Sequence, residues 1–507
     1  MKNCSFCIVL VLISFSSFSQ KLFTRINEES SGVKFNNIIF ETKQLNNFTY
    51  SYILNGGGVA ISDVNNDGLP DLFFSGTFLS NKLYLNQGDF KFKDITESAG
   101  IIDSIGFNTG VTFVDINNDG FMDIYVCKSG IYEPKYRKNK LYINNGNLTF
   151  SEKAKEYGID DASYSTQGYF YDMDLDGDLD LVLLNHPPEM HYANKIQLGY
   201  DKTGKLIAQH DTTRTYVSYR YYENSNGHFT DKTSAAGLLT HAYCLSAVID
   251  DFNSDGYPDI YACNDFGIPD YLYINNKNGT FTERFSDYFK HTSYYAMGSD
   301  FCDINNDGYK DLIVVDMLPE SFQRQKQLKG IGNYDHHNKR VEYGLNYQYS
   351  KNVLQLNNGN NSYSDISYLA GLAFTEWSWA PLMADFDNDG LKDVYITNGY
   401  MRDATDNDFM MYDGDSIQRE LIKTNNLNEA MKVLEKMPAK KVNNYFFRNN
   451  GNLTFSNLTK EAGVDIPSWS NGAAYADLDL DGDLDIVVSN IYDPAFIYKN
   501  NANESKN

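Results

Sequence analysis

The stretch "DINNDGFMDIYV" at residues 115–126 places acidic or amide side chains at alternating positions, then a glycine, then an apolar run. Carboxylates this close repel one another, so the segment is costly unless a cation lies among them. The stretch also recurs. Seven copies of the nine-residue pattern D-x-[DN]-x-D-G-x-x-D occur, at residues 63–71, 115–123, 172–180, 251–259, 303–311, 385–393 and 477–485. We call them loops one to seven and number their positions one to nine.

Each loop has the ligand chemistry of a calcium site, because Ca²⁺ takes hard oxygen ligands around a sharp glycine turn. We predict that positions one, three and five supply side-chain oxygens, position seven its backbone carbonyl, and position nine a carboxylate that closes the shell. At position six, Gly120 is expected to have a left-handed backbone. The predicted ligands are Asp63, Asn65, Asp67, Leu69, Asp71, Asp115, Asn117, Asp119, Phe121, Asp123, Asp172, Asp174, Asp176, Asp178, Asp180, Asp251, Asn253, Asp255, Tyr257, Asp259, Asp303, Asn305, Asp307, Tyr309, Asp311, Asp385, Asp387, Asp389, Leu391, Asp393, Asp477, Asp479, Asp481, Asp483 and Asp485.

Other interpretations of the loop are weaker. One copy alone also fits a metal-free turn rich in Asp and Asn, and Mg²⁺ suits the loop less because it keeps its own waters. An EF-hand starts with the same residues but needs a Glu at position twelve and a helix afterwards. Position twelve is apolar here: Phe74, Val126, Leu183, Ala262, Val314, Ile396 and Val488. We therefore predict up to seven structural Ca²⁺ ions in strand–loop–strand sites.

The acidity of the chain belongs mostly to these loops. They contain 26 aspartates, more than the whole formal net charge of -24. One divalent ion in each loop would leave a charge of about -10. No basic stripe or patch is visible in the sequence, which argues against a nucleic-acid partner.

A longer unit surrounds each loop and predicts the fold. The segment "NKLYLNQGDFKFKDITESAGI" (81–101) returns as "NKLYINNGNLTFSEKAKEYGI" (139–159), with an Asn-Gly turn between aromatic runs that is typical of a hairpin. Two strands around the loop and two around this turn make four antiparallel strands, which is one propeller blade. Repetition at a period of about 50 residues is typical of such rings. We predict an all-β, seven-bladed propeller over residues 20–500, followed by a tail at 501–507.

The last blade lacks a fourth strand at the C-terminal end. The segment "LFTRINEESSGV" (22–33) resembles a fourth strand with its usual ending, so we expect it to complete blade seven. An eight-bladed ring or an open superhelix is the alternative, and it leaves this match unexplained.

The loops and blades resemble FG-GAP or VCBS repeats, the module of integrin α-subunit propellers. The stretches "MLPESFQRQKQLKG" and "EWSWAPLMADFDNDGLKDVYITNGYMRD" are similar to secreted bacterial VCBS proteins related to the cartilage acidic protein family. The resemblance covers roughly residues 20 to 500. Members of that family often continue into a C-terminal ASPIC/UnbV domain, so this chain is expected to be a propeller-only or a truncated member.

The N-terminal residues predict secretion. An apolar run from Phe6 to Phe15, with small residues at Ser17 and Ser19, indicates a signal peptide at residues 1–19 cleaved after Ser19. The run is too short for a membrane anchor. We predict a secreted, cell-surface or periplasmic protein without a transmembrane segment. Its remaining cysteines lie in or beside apolar strands and are expected to be free thiols: Cys127, Cys244, Cys263 and Cys302.

Three long insertions, approximately 185–218, 316–350 and 398–443, lie between the second and third strands of their blades. They must gather on the face opposite the calcium loops, where a rigid scaffold presents its binding loops. His186 and His191, and the "YDHHNKR" segment at 334–340, are weak zinc candidates that we expect to be ordinary surface residues. Leu427, Met431 and Leu434 predict a helix packed on the propeller rim, and Trp377 and Trp379 are expected to pack on the inner strand rather than stack on a sugar.

The preferred functional prediction is a non-catalytic, calcium-stabilised module that binds an extracellular glycan or protein through the insertion-bearing face. The alternative is a carbohydrate-active enzyme, a polysaccharide lyase or hydrolase, on the same scaffold. No nucleophile elbow, phosphate loop or dinucleotide fingerprint is present in the sequence. The sequence predicts no catalytic residues and no cofactor other than calcium.

Overall fold

The computed structural model describes residues 21–103, 105–188, 197–209, 214–328, 334–403, 405–414 and 427–504. The predicted signal peptide and His191 lie outside the described residues. Seven four-stranded antiparallel sheets form the body of the described chain, and each is one blade. The prediction of a seven-bladed propeller is confirmed.

The strands are given from the inner to the outer edge of each blade. Blade one consists of Val59–Ser62, Asp71–Phe74, Lys82–Asn86 and Phe92–Asp94, and blade two of Phe107–Val114, Asp123–Ser129, Lys140–Asn144 and Phe150–Glu152. Blade three consists of Ser165–Tyr171, Asp180–Asn185, Arg220–Ser225 and His228–Asp231, and blade four of Cys244–Asp250, Asp259–Asn264, Tyr271–Asn275 and Phe281–Glu283. Blade five consists of Gly298–Cys302, Asp311–Val315, Val353–Asn357 and Tyr363–Asp365, and blade six of Ser378–Ala384, Asp393–Asn398, Tyr445–Asn449 and Phe455–Asn457. Blade seven consists of Ser470–Ala476, Asp485–Asn490, Phe496–Asn500 and Phe23–Ile26.

The outer strand of blade seven comes from the beginning of the chain. Phe23–Ile26 pairs antiparallel with Phe496–Asn500, so that Phe23 faces Asn500 and Ile26 faces Ile497. A one-turn helix, Glu28–Ser31, follows it and ends at Gly32 in the left-handed region (φ 78°). Short helices of this kind also follow the outer strands of other blades. The two ends of the described chain therefore share one sheet.

The inner strands contact one another in ring order, and the last returns to the first. They approach so closely that a Cβ atom on Gly298 would lie 1.8 Å from the carbonyl oxygen of Trp379 in the next blade. The hydrophobic core lies between neighbouring blades. Phe73 of blade one, for example, belongs to one cluster with Ile124 and Val126 of blade two. Each sheet thus buries both of its faces.

The remaining elements lie between the blades or in the insertions. A hairpin joins Gln197–Tyr200 to Leu206–Gln209, and His291–Ser293 pairs in parallel with Tyr347–Tyr349. The helices after outer strands are Ala154–Tyr157, Phe285–Tyr288, Ser367–Ala370 and Thr459–Ala462, and the longer helices are Phe322–Leu328, Tyr334–Glu342 and Leu427–Lys436. The 3-10 turns are Ser51–Leu54, Pro134–Tyr136 and Thr215–Val217, and Phe409–Gly414 is a π-helical segment.

Every loop joins the first and second strands of its blade, and every long insertion joins the second and third, as predicted. The four cysteines of the described chain are free thiols: Cys127, Cys244 and Cys263 are buried, and Cys302 is partly buried. Among the described residues, no helix has the length and apolar character needed to cross a membrane.

Candidate functional site

The loops share one backbone conformation, which loop two illustrates. The Asp115 carboxylate at position one accepts the backbone N–H groups of Asp119 at 3.0 Å and of Gly120 at 2.9 Å. Gly120 has a φ of 86°, as predicted, and Asn118 at position four is also left-handed, with a φ of 57°. This second turn was not predicted from the sequence, because position four is not restricted to glycine. The two turns direct the side chains of positions one, three and five to one side.

Position nine is the buried anchor of each loop. The Asp123 side chain has no exposed surface, and its oxygens accept the backbone N–H groups of Ile116 at 3.2 Å and of Asn144 at 2.7 Å. Burial raises the pKa of Asp123 to about 7, and the nearby carboxylates of Asp119 and Asp115 add to the shift. Since each carboxylate oxygen has two lone pairs, these bonds leave acceptor capacity for a cation.

The loops fall into two types at position three. Loops one, two, four and five carry Asn there, and we call them Asn-type. In each of them the amide nitrogen donates to the position-five carboxylate, as from Asn117 to Asp119 at 2.9 Å. The equivalent pairs are Asn65 with Asp67, Asn253 with Asp255, and Asn305 with Asp307. An internal hydrogen bond thus holds two predicted ligands together.

Loops three, six and seven carry Asp at position three, and we call them Asp-type. Their carboxylate oxygens converge to within 4.8 Å of one another, in the groups Asp172–Asp174–Asp176, Asp385–Asp387–Asp389 and Asp477–Asp479–Asp485. The same loops hold buried carboxylate oxygens that have no hydrogen-bond partner, on Asp178, Asp393, Asp479 and Asp483. Converging hard oxygens, several of which lack a donor, fit a divalent cation such as Ca²⁺. Calcium itself remains a prediction.

The residue that faces each loop from the third strand follows the same division. It is aliphatic beside the Asn-type loops, at Leu85, Ile143, Ile274 and Leu356. It is charged beside the Asp-type loops, at Glu223, Arg448 and Lys499. The Lys499 ammonium lies 2.6 Å from Asp479 and 3.1 Å from Asp481. Burial raises the pKa of Asp174, and among the charges near it Glu223 raises it further. Loop seven therefore has a cation of its own, whereas loop three has an additional anion.

The opposite face, which we call the insert face, carries the three insertions. Arg324 of the second insertion makes two bonds to Glu376, at 2.8 and 3.1 Å, and contacts Asp403 of the third at 3.4 Å. All three side chains are about one-tenth exposed. The backbone N–H of Ala208 in the first insertion donates to the carbonyl of Tyr343 in the second, at 2.8 Å. The insertions therefore gather into one layer, as predicted.

The described histidines of the insertions differ in how far they are exposed. His186 is only 1% exposed, so the expectation of a surface histidine is wrong for it: its ring lies beneath that of Tyr52. His337 packs between Tyr347 and Tyr349. Its neighbour His336 is exposed.

The helix Leu427–Lys436 forms as predicted, with Leu434 buried against Phe409 of its own insertion rather than against the propeller rim. Met431 is partly buried in the same cluster, and the side chain of Leu427 lies outside the described part. Trp379 packs on the inner strand as expected, and its indole N–H donates to the carbonyl of Gly399 at 2.8 Å. Trp377 stacks on Tyr400 with ring centroids 4.1 Å apart.

The axis of the ring is covered by a segment that matches no sequence motif. Residues 37–58, the cover segment, cross the insert-face end of the channel between the inner strands. The Tyr52 hydroxyl donates to Asp265 of blade four at 2.5 Å, and the Tyr50 hydroxyl lies 3.1 Å from that of Ser129 in blade two. Further contacts to blades six and seven are Tyr400 with Asn47, Arg402 with Glu41, and Tyr492 with the carbonyl of Ile39. The segment's cluster of aromatic residues was the only signal available in the sequence.

Comparison with known proteins agrees with this architecture. The model of the FG-GAP-like repeat matches residues 63–126, 251–314 and 439–488, three segments that each contain at least one loop followed by its apolar strand. The chain carries FG-GAP-like repeats. The match at 63–126 spans loops one and two, so the repeats recur around the ring.

Two individual proteins are also similar to parts of the chain. Cartilage acidic protein 1 of Xenopus tropicalis is 31% identical over 101 residues, which is 20% of this chain and 15% of that protein. The chain thus aligns with less than a sixth of this relative. The solved structure of a rhamnogalacturonan lyase from Bacillus licheniformis aligns over 88% of this chain and 72% of its own, with 9% identity and a TM-score of 0.39. A similarity at that level carries no argument about activity.

Proposed function

We propose that the protein is a secreted, calcium-stabilised propeller that binds an extracellular glycan or protein through its insert face without catalysing a reaction. The observation that supports the proposal best is the joining of three separate insertions into one layer on that face. A binding surface must hold its shape, and loops fixed to a rigid scaffold are where binding residues concentrate.

The ion pairs of the insert face act as supports. Glu376 and Asp403 are held by Arg324, so these buried charges are paired rather than available to a substrate. Removing one member of a buried pair leaves the other charge uncompensated, at a cost of about 3–5 kcal/mol. We therefore assign the trio to positioning the insertions.

Large exposed side chains on the insertions are the proposed contact residues. Tyr334 and Tyr412 are each 77% exposed, Phe322 is 72% exposed, and Tyr200 is 72% exposed. Tyrosine presents a broad apolar face together with a polar tip and loses little side-chain entropy on binding, which suits recognition of glycans and proteins. These residues come from all three insertions.

Calcium is proposed as a structural component, held by positions one, three, five, seven and nine of the loops. It would neutralise the converging carboxylates of loops three, six and seven. We further propose that the N-terminal residues direct the chain out of the cytoplasm. Mass spectrometry of secreted material tests this, with a mature N-terminus at Gln20 expected and a retained Met1 contradicting it.

The function is tested with mature protein in calcium on arrays of glycans and extracellular proteins, followed by affinity measurement for the best ligand. Tyr334→Ala and Tyr412→Ala are expected to weaken binding about tenfold each, the typical effect of losing an aromatic contact residue. Tyr309→Ala is the matched control, because Tyr309 is 45% exposed on loop five, on the other face.

The same ligand is incubated with the protein to look for cleavage products. Turnover of a bound polysaccharide would support the carbohydrate-active alternative and contradict a purely binding role. Equal loss of affinity in the insert-face variants and in Tyr309→Ala would contradict the assignment of the face.

A further inference from the structure

The inner strands enclose a channel along the axis of the ring. Its part near the insert face has a volume of about 400 Å³, and its part near the loops a volume of about 560 Å³. Gln167, Tyr169, Ser299 and Asp300 line both parts, so the two are continuous. Each volume is in the range of small-molecule sites, about 300–1,000 Å³.

The channel is closed at one end only. The cover segment places Tyr50 and Tyr52 across the insert-face end, where both side chains are buried. At the other end the lining reaches Tyr171, which is 43% exposed and directly precedes loop three. A ligand would therefore enter from the loop face, away from the surface proposed above for binding.

The wall combines aromatic faces with neutral polar groups. Trp379 and Tyr475 provide rings, while Thr109, Gln167 and Ser299 provide hydroxyl and amide groups. Among the described residues that line either part of the channel there is no lysine or arginine. An anionic ligand would find no countercharge and would face the Asp300 carboxylate, so the wall disfavours phosphates and acidic sugars.

Two buried polar side chains at the closed end have unused hydrogen-bonding atoms. Asn471 is 3% exposed, and neither its amide oxygen nor its amide nitrogen has a partner. The Nε2 atom of His186, which is 1% exposed, also has none. Buried polar groups are nearly always paired, and an unpaired one in a native protein points to a missing partner. A hydroxyl group fits both residues because it donates and accepts.

We propose that the channel is a binding site for a small neutral sugar, a mono- or disaccharide, whose hydroxyl groups pair with Asn471 and whose C–H face packs on the part of the Trp379 ring that core packing leaves exposed. The site is independent of the proposed polymer-binding function, because it opens on the opposite face.

The test uses full mature protein in calcium and follows tryptophan fluorescence, since Trp379 is one of only three tryptophans. The probes are glucose, galactose, mannose, xylose, cellobiose and lactose, with glucuronate as the anionic and tetramethylammonium as the cationic control. We expect saturable binding of at least one neutral sugar and none of either control. Absence of saturation by every neutral sugar, or equal binding of a charged control, would overturn the proposal.

Asn471→Ala separates a ligand contact from a structural role. If the amide contacts the ligand, the variant should bind the sugar at least about tenfold more weakly. The melting temperature of the ligand-free variant should stay unchanged or rise, because an unpaired buried amide is removed. Unchanged sugar affinity in this variant would contradict the site. Tyr412→Ala should keep the sugar affinity even where it loses the polymer, so the two proposals fail separately.

Discussion

The Asp-type and Asn-type loops have the same backbone and differ in how they manage charge. In loop two, Asn117 donates a hydrogen bond to Asp119, so two of the predicted ligands are linked directly to each other. In loop three, Asp172, Asp174 and Asp176 bring only acceptors to the same place. The third-strand residue beside the loop differs in the same way: it is aliphatic beside the Asn-type loops and charged beside the Asp-type loops. Repeats with one fold therefore need not depend equally on calcium.

The largest expected effect is that of removing calcium from the whole ring. Sites that form only in the folded state add roughly 2.7 kcal/mol each when the ion is at about 100 times its dissociation constant. The melting temperature should therefore fall strongly in excess chelator. Calorimetry in calcium and in chelator, with metal analysis of the purified protein, measures this. Equal melting temperatures together with far fewer than seven ions would show that the loops are metal-free turns.

The next effect compares position five in the two types. Asp176→Ala should cost about 1–3 kcal/mol in calcium, since a charged ligand is lost, and close to nothing in chelator, since a repulsive charge is lost as well. Its matched control is Asp119→Ala, which in chelator also loses the hydrogen bond from Asn117. Urea unfolding of both variants, in calcium and in chelator, gives the four changes in the free energy of unfolding. An equal calcium dependence of the two variants would remove the distinction between the types.

Lys499 provides a sharper test within the Asp-type loops. Lys499→Met should destabilise the protein by about 1 kcal/mol in chelator, where it leaves Asp479 and Asp481 unpaired, and by less in calcium, where an ion replaces the ammonium. The control is Lys82→Met, which breaks the surface pair with Asp94 (2.7 Å) far from any predicted ligand. Both losses should be measured by urea unfolding. A calcium dependence in Lys82→Met as large as that in Lys499→Met would show that the effect is not local to loop seven.

The smallest effect converts one type into the other. Asn117→Asp adds a ligand charge to loop two, so the variant should bind calcium more tightly and lose about 0.5 kcal/mol of stability in chelator. Asn147→Asp, in an exposed turn of the same blade, changes the charge equally but lies outside the loop. Calcium titration by calorimetry distinguishes them, and similar affinities in the two variants would indicate a general charge effect.

The regular part of the molecule was predictable from sequence because each blade repeats the same local signals. The Asp at position nine, followed by an apolar run, predicted where each loop ends and the second strand begins. The Asn-Gly turns predicted the hairpin of the third and fourth strands. The placement of the insertions followed from strand order alone. The propeller and its loop positions follow from these local signals alone.

The irregular part was not predictable, because its contacts depend on distant residues. Tyr52 reaches Asp265, and Tyr400 reaches Asn47, only after the ring has closed. His186 is packed against Tyr52 of the cover segment and against Tyr243 and Phe266 next to the strands of blade four, so local polarity gave the wrong expectation. The contact of Lys499 with loop seven was visible only as a charged residue at a repeat position that is aliphatic in four of the seven blades.

Asparagines at the ends of the third strands join neighbouring blades by hydrogen bonds that all run in the same direction around the ring. Asn144 of blade two donates to the carbonyl at position two of loop one, at 2.8 Å, so each bond of this kind fastens a blade to the loop of the blade before it. Equivalent bonds run from Asn86, Asn275, Asn449 and Asn500 to loops seven, three, five and six.

All seven asparagines also donate to the carbonyl at position eight of their own loop, and in blades three and five this is the one of the two bonds that is formed, from Asn224 to Leu179 and from Asn357 to Lys310. Bonds to the preceding blade therefore join blades five, six, seven, one and two into one group. They join blades three and four into a second group. Other bonds serve at one of the two joints between these groups: the Thr109 and Thr112 hydroxyls of blade two donate to the carbonyls of Ser165 and Gly168 in blade three, at 2.8 and 2.7 Å. The ring is therefore closed by unlike joints, although its blades repeat one fold.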